Sequence, residues 1–236
     1  MACTSTMAEA STSTAFNANE DSSGNIDTYL DSLKSLTANG ILIDIQYFRN
    51  KSNVIMVKEL AILKLSTMQL QFMTFKPETG SEWSKLSELV KRTNHFIAEN
   101  VNGLNYFEGT YDYELLPRIL HNACKSSTLI YCKGSEKCKF LSNLLGKKVH
   151  NLESIYGLFS TDYQKQFRSQ LYCRKFMSCF HDHGNGAIMY CSLNKVCRLK
   201  DRLKHFYKEE CRKYNVSRKV KHQFKYDANE IYYSDE

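Results

Sequence analysis

Thiol and imidazole side chains are concentrated between Cys179 and Cys191, a stretch that also contains His181 and His183. Cysteine thiolates and neutral imidazoles are the side chains that zinc prefers in proteins. Two glycines in the same stretch allow the loop to turn back, so that Cys191 can face Cys179. The alternative is that the two cysteines are ordinary buried thiols and that the histidines lie in a solvated loop. The residues alone leave both interpretations open.

A second group of side chains is basic and lies near the end of the sequence. From Lys195 to Lys225 there are twelve Lys/Arg residues against three Asp/Glu residues, with aromatic residues between them. Basic side chains bind phosphates and aromatic rings stack on bases, so this stretch is a candidate for contact with single-stranded RNA or DNA. The alternative is a solvated amphipathic helix followed by a basic tail. The candidate nucleic-acid-binding residues are Lys200, Arg202, Lys204, Arg212, Lys213, Arg218, Lys219 and Lys221.

The composition is that of an intracellular globular protein. Hydrophobic residues make up 42% of the 236 residues, which is too many for a fully disordered chain. The longest apolar stretch, at 40–48, contains Asp44 and Gln46, so the sequence predicts no membrane-spanning segment and no membrane partner. No secretory or transit signal is recognisable, and the nine cysteines are typical of a reducing compartment. We therefore expect a cytoplasmic or nuclear location.

The hydrophobic periodicity predicts one α/β domain between two irregular ends. We expect a disordered leader at 1–24, a short helix and turn at 25–40, the domain at 41–210, and a basic then acidic tail at 211–236. The predicted strands lie at 41–48, 54–65, 69–75, 128–132 and 148–152. The predicted helices lie at 25–36, 83–100, 113–123, 135–145, and within 163–177 and 187–210.

Three strands followed by alternating helices and strands are the layout of the ribonuclease H-like fold, a mixed five-stranded sheet flanked by helices. Local motifs resemble the DEDDh exonucleases of that fold. The stretch Ile43-Asp44-Ile45-Gln46 is similar to the Asp-x-Glu pair that binds two metals in that family, with its second acid replaced by an amide. A later stretch, 132–141, is similar to the second motif, with Lys137 in place of the metal-binding Asp. The third motif, His-x-x-x-x-Asp, corresponds to Cys191 and Lys195.

The resemblance therefore implies a degenerate site in which only Asp44 is retained among the metal-binding acids. Two-metal catalysis needs carboxylates that hold two dications about 4 Å apart. An ammonium group repels a dication, because even two unit charges at 4 Å interact by about 4 kcal/mol at an effective dielectric of 20. We expect Lys137 and Lys195 to lie near Asp44 and to form an ion pair with it in place of the metals.

A second resemblance is to the Maelstrom domain, which has the same fold without the exonuclease acids and binds zinc through a Glu-Cys-His-Cys set. The stretch Val57-Lys58-Glu59-Leu60-Ala61-Ile62 is similar to the context of the zinc-binding Glu in that family. The resemblance implies the ligands Glu59, Cys179, His183 and Cys191. The spacing differs from that of the family, which leaves His181 as the alternative histidine. Four protein ligands would leave no open position for water, so such a zinc would be structural.

These patterns favour a non-catalytic nucleic-acid-binding or silencing-associated module with a structural zinc. One alternative is an active metal-dependent 3'-5' exonuclease with an altered site, and another is a protein–protein adaptor without a nucleic-acid role. The stretches 42–63 and 130–141 also resemble reading frames of arthropod genomes, their viruses and their mobile elements.

Overall fold

The order of helices and strands follows the predicted order closely. The computed structural model describes residues 22–127, 129–159 and 191–213. Its strands are β1 (Ile41–Arg49), β2 (Ile55–Lys64), β3 (Leu70–Thr74), β4 (Ile130–Cys132) and β5 (Val149–Asn151). Its α-helices are α1 (Ser22–Asn39), α2 (Glu88–Ile97), α3 (Leu116–Cys124), α4 (Ser135–Leu145) and α5 (Ser192–Lys213).

The five strands form one mixed sheet in the order β3-β2-β1-β4-β5. β1 pairs antiparallel with β2, and β2 pairs antiparallel with β3, as expected for strands joined by short turns. β4 and β5 run parallel to β1, because helices connect these strands. Helices cover both faces of the sheet, so the predicted architecture, a mixed five-stranded α/β sheet flanked by helices, is confirmed.

Alternation along β1 divides its side chains between two cores. Ile43 and Ile45 pack with α3 and α4 on one face of the sheet. Leu42 lies on the other face in the core that contains α1 and α5. Because side chains alternate along a strand, Asp44 and Gln46 share the face of Leu42. Two polar side chains are thereby placed inside the core beneath α5.

The helix predicted at 83–100 is interrupted near its start. Residues 83–85 form a single 3-10 turn, and Leu86 is extended. The α-helix begins after Ser87, whose hydroxyl accepts a hydrogen bond from the backbone N–H of Val90. The prediction missed this break because the apolar spacing continues through it. Among the described residues, no helix is both long and apolar enough to cross a membrane.

Candidate functional site

Asp44 is the centre of a buried polar cluster on the α5 side of the sheet. β4 pairs only with Ile41 and Leu42 of β1, so Asp44 lies just beyond the carboxyl end of β4. Its carboxylate accepts hydrogen bonds from Lys137 Nζ at 2.8 Å and from Gln46 Nε2 at 2.9 Å. The side chain of Asp44 is 2% exposed. The ion pair predicted between Lys137 and Asp44 is therefore confirmed.

Lys137 reaches Asp44 from the first turn of α4. Burial has the largest single effect on the pKa of Lys137 and lowers it, but Asp44, together with Cys132 and Tyr47, offsets burial, so that the pKa is raised overall. The preceding residue, Glu136, accepts two hydrogen bonds from the Arg49 guanidinium, at 2.8 and 3.1 Å, and one from Tyr47 Oη at 2.9 Å. The first turn of α4 is thus attached to β1 through both Glu136 and Lys137, and the ammonium group stays charged beside Asp44.

Lys195 enters the same cluster from α5. Burial lowers the pKa of its ammonium group; the Asp44 carboxylate opposes this effect, and the nearby Lys137 lowers the pKa further. The charge of Glu59 also acts on Lys195. Lys195, which the resemblance places at the aspartate of the third motif, is therefore close enough to Asp44 for their charges to interact.

Glu59 connects β2 to the beginning of α5. It lies opposite Gln46 in the sheet and is fully buried. Its Oε2 accepts hydrogen bonds from the backbone N–H of Ser192 at 3.2 Å and from the Ser192 hydroxyl at 2.9 Å. The residue before Ser192 is Cys191, which is also buried. A carboxylate at a helix N-terminus is stabilised by the helix dipole, so Glu59 fixes where α5 starts.

Of the predicted zinc ligands, Glu59 and Cys191 are described, and the structure brings them to the same end of α5. Cys179, His181 and His183 lie outside the described residues. Within the described ranges, no group of three or more His, Cys, Asp or Glu side chains could hold a metal ion. Four of the other cysteines, predicted as core residues, are buried: Cys124, Cys132, Cys138 and Cys197.

The residues around Asp44 do not fit the two divalent metals of the exonucleases. An ammonium group lies within hydrogen-bond distance of Asp44, and the charge of a second one, that of Lys195, acts on the same cluster. Gln46 donates an amide hydrogen bond to Asp44, where the motif resemblance implies a second carboxylate. A dication at this position would face two cations and would have to displace the ion pair with Lys137.

Basic side chains continue from this cluster to the surface at the carboxyl end of β4. Lys133 Nζ lies 4.7 Å from the ring centroid of Phe159, and Arg202 Cζ lies 4.8 Å from it. Lys133 is exposed. We call Lys133, Lys137, Lys195 and Arg202 the basic edge. Lys133 and Phe159 were not predicted; Lys133 could have been found because it directly follows a buried strand, where α/β sheets bind their ligands.

The predicted nucleic-acid-binding residues have different surroundings on α5. Lys200 is mostly buried, with a side chain 12% exposed, and pairs with Asp201 at 3.3 Å. Lys204 is half-buried, and Arg202 belongs to the basic edge. Arg212 and Lys213 are exposed and pair with Glu209 and Glu210. Arg218, Lys219 and Lys221 lie outside the described residues.

Comparison with known proteins gives matches only among solved structures. No protein-family model and no curated protein matches the chain. One similar structure is the Mopeia virus exonuclease domain partially complexed with manganese, with 12% identity and a TM-score of 0.48. Another is the same domain fully depleted of manganese, with 13% identity and a TM-score of 0.43. Each match covers 77% of this chain and 85% of the viral domain.

Proposed function

We propose that this protein is a catalytically degenerate ribonuclease H-like domain that binds single-stranded RNA or DNA without cutting it. The observation that carries the proposal is the 2.8 Å ion pair between Lys137 and the buried Asp44. Where the exonucleases have a cluster of carboxylates that binds metal, this protein has an ion pair with no net charge. Lys195 then adds a further positive charge beside the pair.

The loss of cleavage follows from what the metals would do. Two-metal nucleases stabilise the attacking and leaving oxygens of the phosphodiester with two cations about 4 Å apart. Here Asp44 is already neutralised by an ammonium group that cannot act as a Lewis acid. Asp44 is also 1% exposed, so a phosphodiester has no access to it. We expect no metal-dependent hydrolysis.

The expectation of binding follows from the same change in charge. A cluster that binds cations in the exonucleases has become the basic edge, which attracts phosphate instead. The exposed Lys133 and the adjacent Arg202 are the members best placed to meet a nucleic-acid backbone. Contacts of this type neutralise phosphates and release counterions, so they give binding that weakens with salt.

The test is binding and cleavage of fluorescein-labelled single-stranded RNA and DNA by the full chain. We expect binding that weakens between about 50 and 200 mM salt, and no shortening of the strand with Mg²⁺ or Mn²⁺. The variant Lys133→Ala/Arg202→Ala should lower the slope of log affinity against log salt by roughly 1.4, as two lost phosphate contacts require.

A matched control is available at the opposite end of strands β4 and β5. Lys125 and Lys148 are exposed and precede β4 and β5, respectively. The variant Lys125→Ala/Lys148→Ala removes the same charge and should leave the slope unchanged. Equal loss in both variants would show that only the net charge matters and would remove the basic edge as the site. Metal-dependent cleavage that is lost in Asp44→Ala would instead establish the nuclease.

We also propose the structural zinc and the likeness to the Maelstrom domain that comes with it. The support is that Glu59, from β2, and Cys191, which precedes α5, lie at one buried place although they are far apart in the sequence. Cys179 with His183 or His181 would complete the set. Elemental analysis of the purified protein tests this directly: about one zinc per chain is expected, and its absence would return Cys191 to the role of a core residue.

A further inference from the structure

A second surface feature lies away from the basic edge, at a cleft of about 470 Å³ between residues 77–83 and 106–107. Three aromatic rings line it and contact one another. The Trp83 and Tyr106 ring centroids are 5.0 Å apart, those of Tyr106 and Phe107 5.5 Å, and those of Trp83 and Phe107 6.2 Å. The three rings are tilted by 58–75° to one another.

Of the three rings, Phe107 is exposed, Trp83 is half-buried and Tyr106 is buried, and all three are held in place. Phe107 is 65% exposed, which is costly for a large apolar side chain. The backbone on both sides of Phe107 is fixed from below, because the buried Lys58 ammonium donates hydrogen bonds to the carbonyl oxygens of Tyr106 and Glu108. The Tyr106 hydroxyl donates to the Ser81 carbonyl at 2.5 Å and joins the two walls. The cleft is therefore organised before any ligand arrives.

The charged side chains that line the cleft are acidic, whereas Lys85 and Lys51 lie beside it, at Glu82 and Gly80 respectively. The lining includes the carboxylates of Glu78 and Glu82, and no basic side chain is present among the described residues that line the cleft. Burial raises the pKa of Tyr106 to about 12, with further contributions from Glu78 and Glu82 that place both charges near the rings. Glu82 pairs with Lys85 at 3.0 Å, but both partners are more than half exposed. A pair of this kind is worth little and can be exchanged.

We infer that this cleft binds a cationic side chain, lysine or arginine, of a basic peptide. A cation over an aromatic face is attracted by the ring quadrupole, and nearby carboxylates add to the attraction. Nucleobases also stack on exposed rings. Here, however, the strand that carries them would bring phosphates toward Glu78 and Glu82, and repulsion disfavours that ligand. The charge therefore selects a basic peptide over nucleic acid, and the inference does not rest on the proposed function of the basic edge.

Trp83 allows a direct test, because it is the only tryptophan of the chain. Its fluorescence in the full-length protein should change saturably when acetyl-Gly-Arg-Gly-Arg-Gly amide is added. The same peptide with lysine or trimethyl-lysine in place of arginine distinguishes a guanidinium site from an ammonium site. The peptide with norleucine keeps the apolar stem without the charge, and it should bind at least about threefold more weakly.

Variants separate the cleft from exposed rings in general. Phe107→Ala should weaken peptide binding at least about threefold, and Glu78→Gln/Glu82→Gln should weaken it and reduce its salt dependence. Phe96→Ala is the matched control, because Phe96 is 60% exposed on α2 and does not line the cleft. The nucleic-acid variant Lys133→Ala/Arg202→Ala should leave the peptide affinity unchanged.

Two outcomes would overturn the inference. Equal affinity for the norleucine and lysine peptides would show an apolar groove that does not recognise charge. A fluorescence change with single-stranded DNA that is lost in Phe107→Ala would show that the rings stack on bases. Failure of nucleic-acid binding at the basic edge would leave the peptide result unaffected, because the two experiments use different ligands and different variants.

Discussion

At the scale of single residues, the cluster around Asp44 is governed by the cost of burying charge. A carboxylate that is 2% exposed loses nearly all its hydration and must be balanced by a cation and hydrogen bonds. Lys137 supplies the cation and Gln46 supplies a neutral donor. The Lys137 side chain is 16% exposed, so it lies closer to solvent than Asp44. We therefore expect the free energy of unfolding to fall by different amounts when Asp44 and Lys137 are replaced.

Lys137→Met should lower the free energy of unfolding by about 3 kcal/mol, because it leaves the buried Asp44 carboxylate without its hydrogen-bonded cation, and the charge of Lys195 compensates only in part. Asp44→Asn should cost less, since the remaining ammonium can turn toward solvent. The double variant Asp44→Asn/Lys137→Met should recover much of the loss. Urea unfolding measures all three, with Lys125→Met as a surface control. Additive losses in the double variant would contradict the ion pair.

Asp201 on α5 makes the stability of the protein depend on pH in the acid range. Burial raises its pKa from 3.8 to about 6; the nearby Lys204 opposes this shift, as does the ion pair with Lys200 at 3.3 Å. The folded state then binds more protons than the unfolded state between these two values. The contribution of Asp201 to stability is therefore full below pH 3.8 and is lost as the pH rises through about 6.

The stability of Asp201→Asn relative to the wild-type protein should accordingly increase between pH 4 and pH 7 by on the order of 2 kcal/mol. Urea unfolding of both proteins at several pH values gives this difference. Parallel pH profiles for the two proteins would show that Asp201 titrates normally in the folded state.

At the scale of elements, the start of α5 makes a buried polar contact with β2 in addition to its apolar contacts with the core. Glu59 accepts two hydrogen bonds at the first residue of α5, one from the backbone and one from the Ser192 hydroxyl. Lys195, one turn later, faces the charges of Asp44 and Glu59. The N-terminal end of α5 is thus attached to the sheet by polar contacts, whereas Leu199, Leu203 and Phe206 pack farther along in the apolar core.

Ser192→Ala should therefore destabilise the protein by about 1–3 kcal/mol, because a buried carboxylate loses a hydrogen bond. The effect should be local to the first turn of α5 and visible as faster amide hydrogen exchange there. Ser84→Ala, at an exposed position, is the control. Unchanged exchange at 192–196 would mean that the apolar contacts alone fix the helix.

The sequence predicted the helices and strands better than the contacts between them. The extents of β1 and α4 follow from β-branched runs and from a helix bounded by Gly134 and Gly146. The Lys137–Asp44 pair could be predicted because the motif alignment placed a base where a metal-binding acid belongs. The Maelstrom resemblance also placed Glu59 beside Cys191, but the hydrogen bonds from Ser192 to Glu59 could not be predicted, since no local pattern shows them. Trp83, just before the break at Leu86, packs against the core cluster around Phe48 and also lines the cleft.

At the scale of the whole molecule, two surfaces of opposite charge lie on one sheet scaffold. The basic edge follows β4 and uses Lys133 and Arg202, whereas the cleft is formed by residues around Trp83 and Phe107. A domain with both could hold a nucleic-acid strand and a basic peptide together. Each surface is tested by its own variants, so that either role can be established without the other.

The proposed zinc would act on the whole molecule, because it would join β2 to the segment before α5. A metal that closes a long loop restricts the unfolded chain, so its removal should cost several kcal/mol. Cys179→Ser and Cys191→Ser should give insoluble or protease-sensitive protein, whereas Cys124→Ser, in the opposite core, should be much milder. A chelator should lower the melting temperature of the wild-type protein and of Cys124→Ser but should leave any soluble Cys191→Ser protein unchanged. If the chelator has no effect on the wild-type protein, the loss in Cys191→Ser reflects the polar hydroxyl placed in a buried apolar site, and α5 is held by Glu59 and the core without metal.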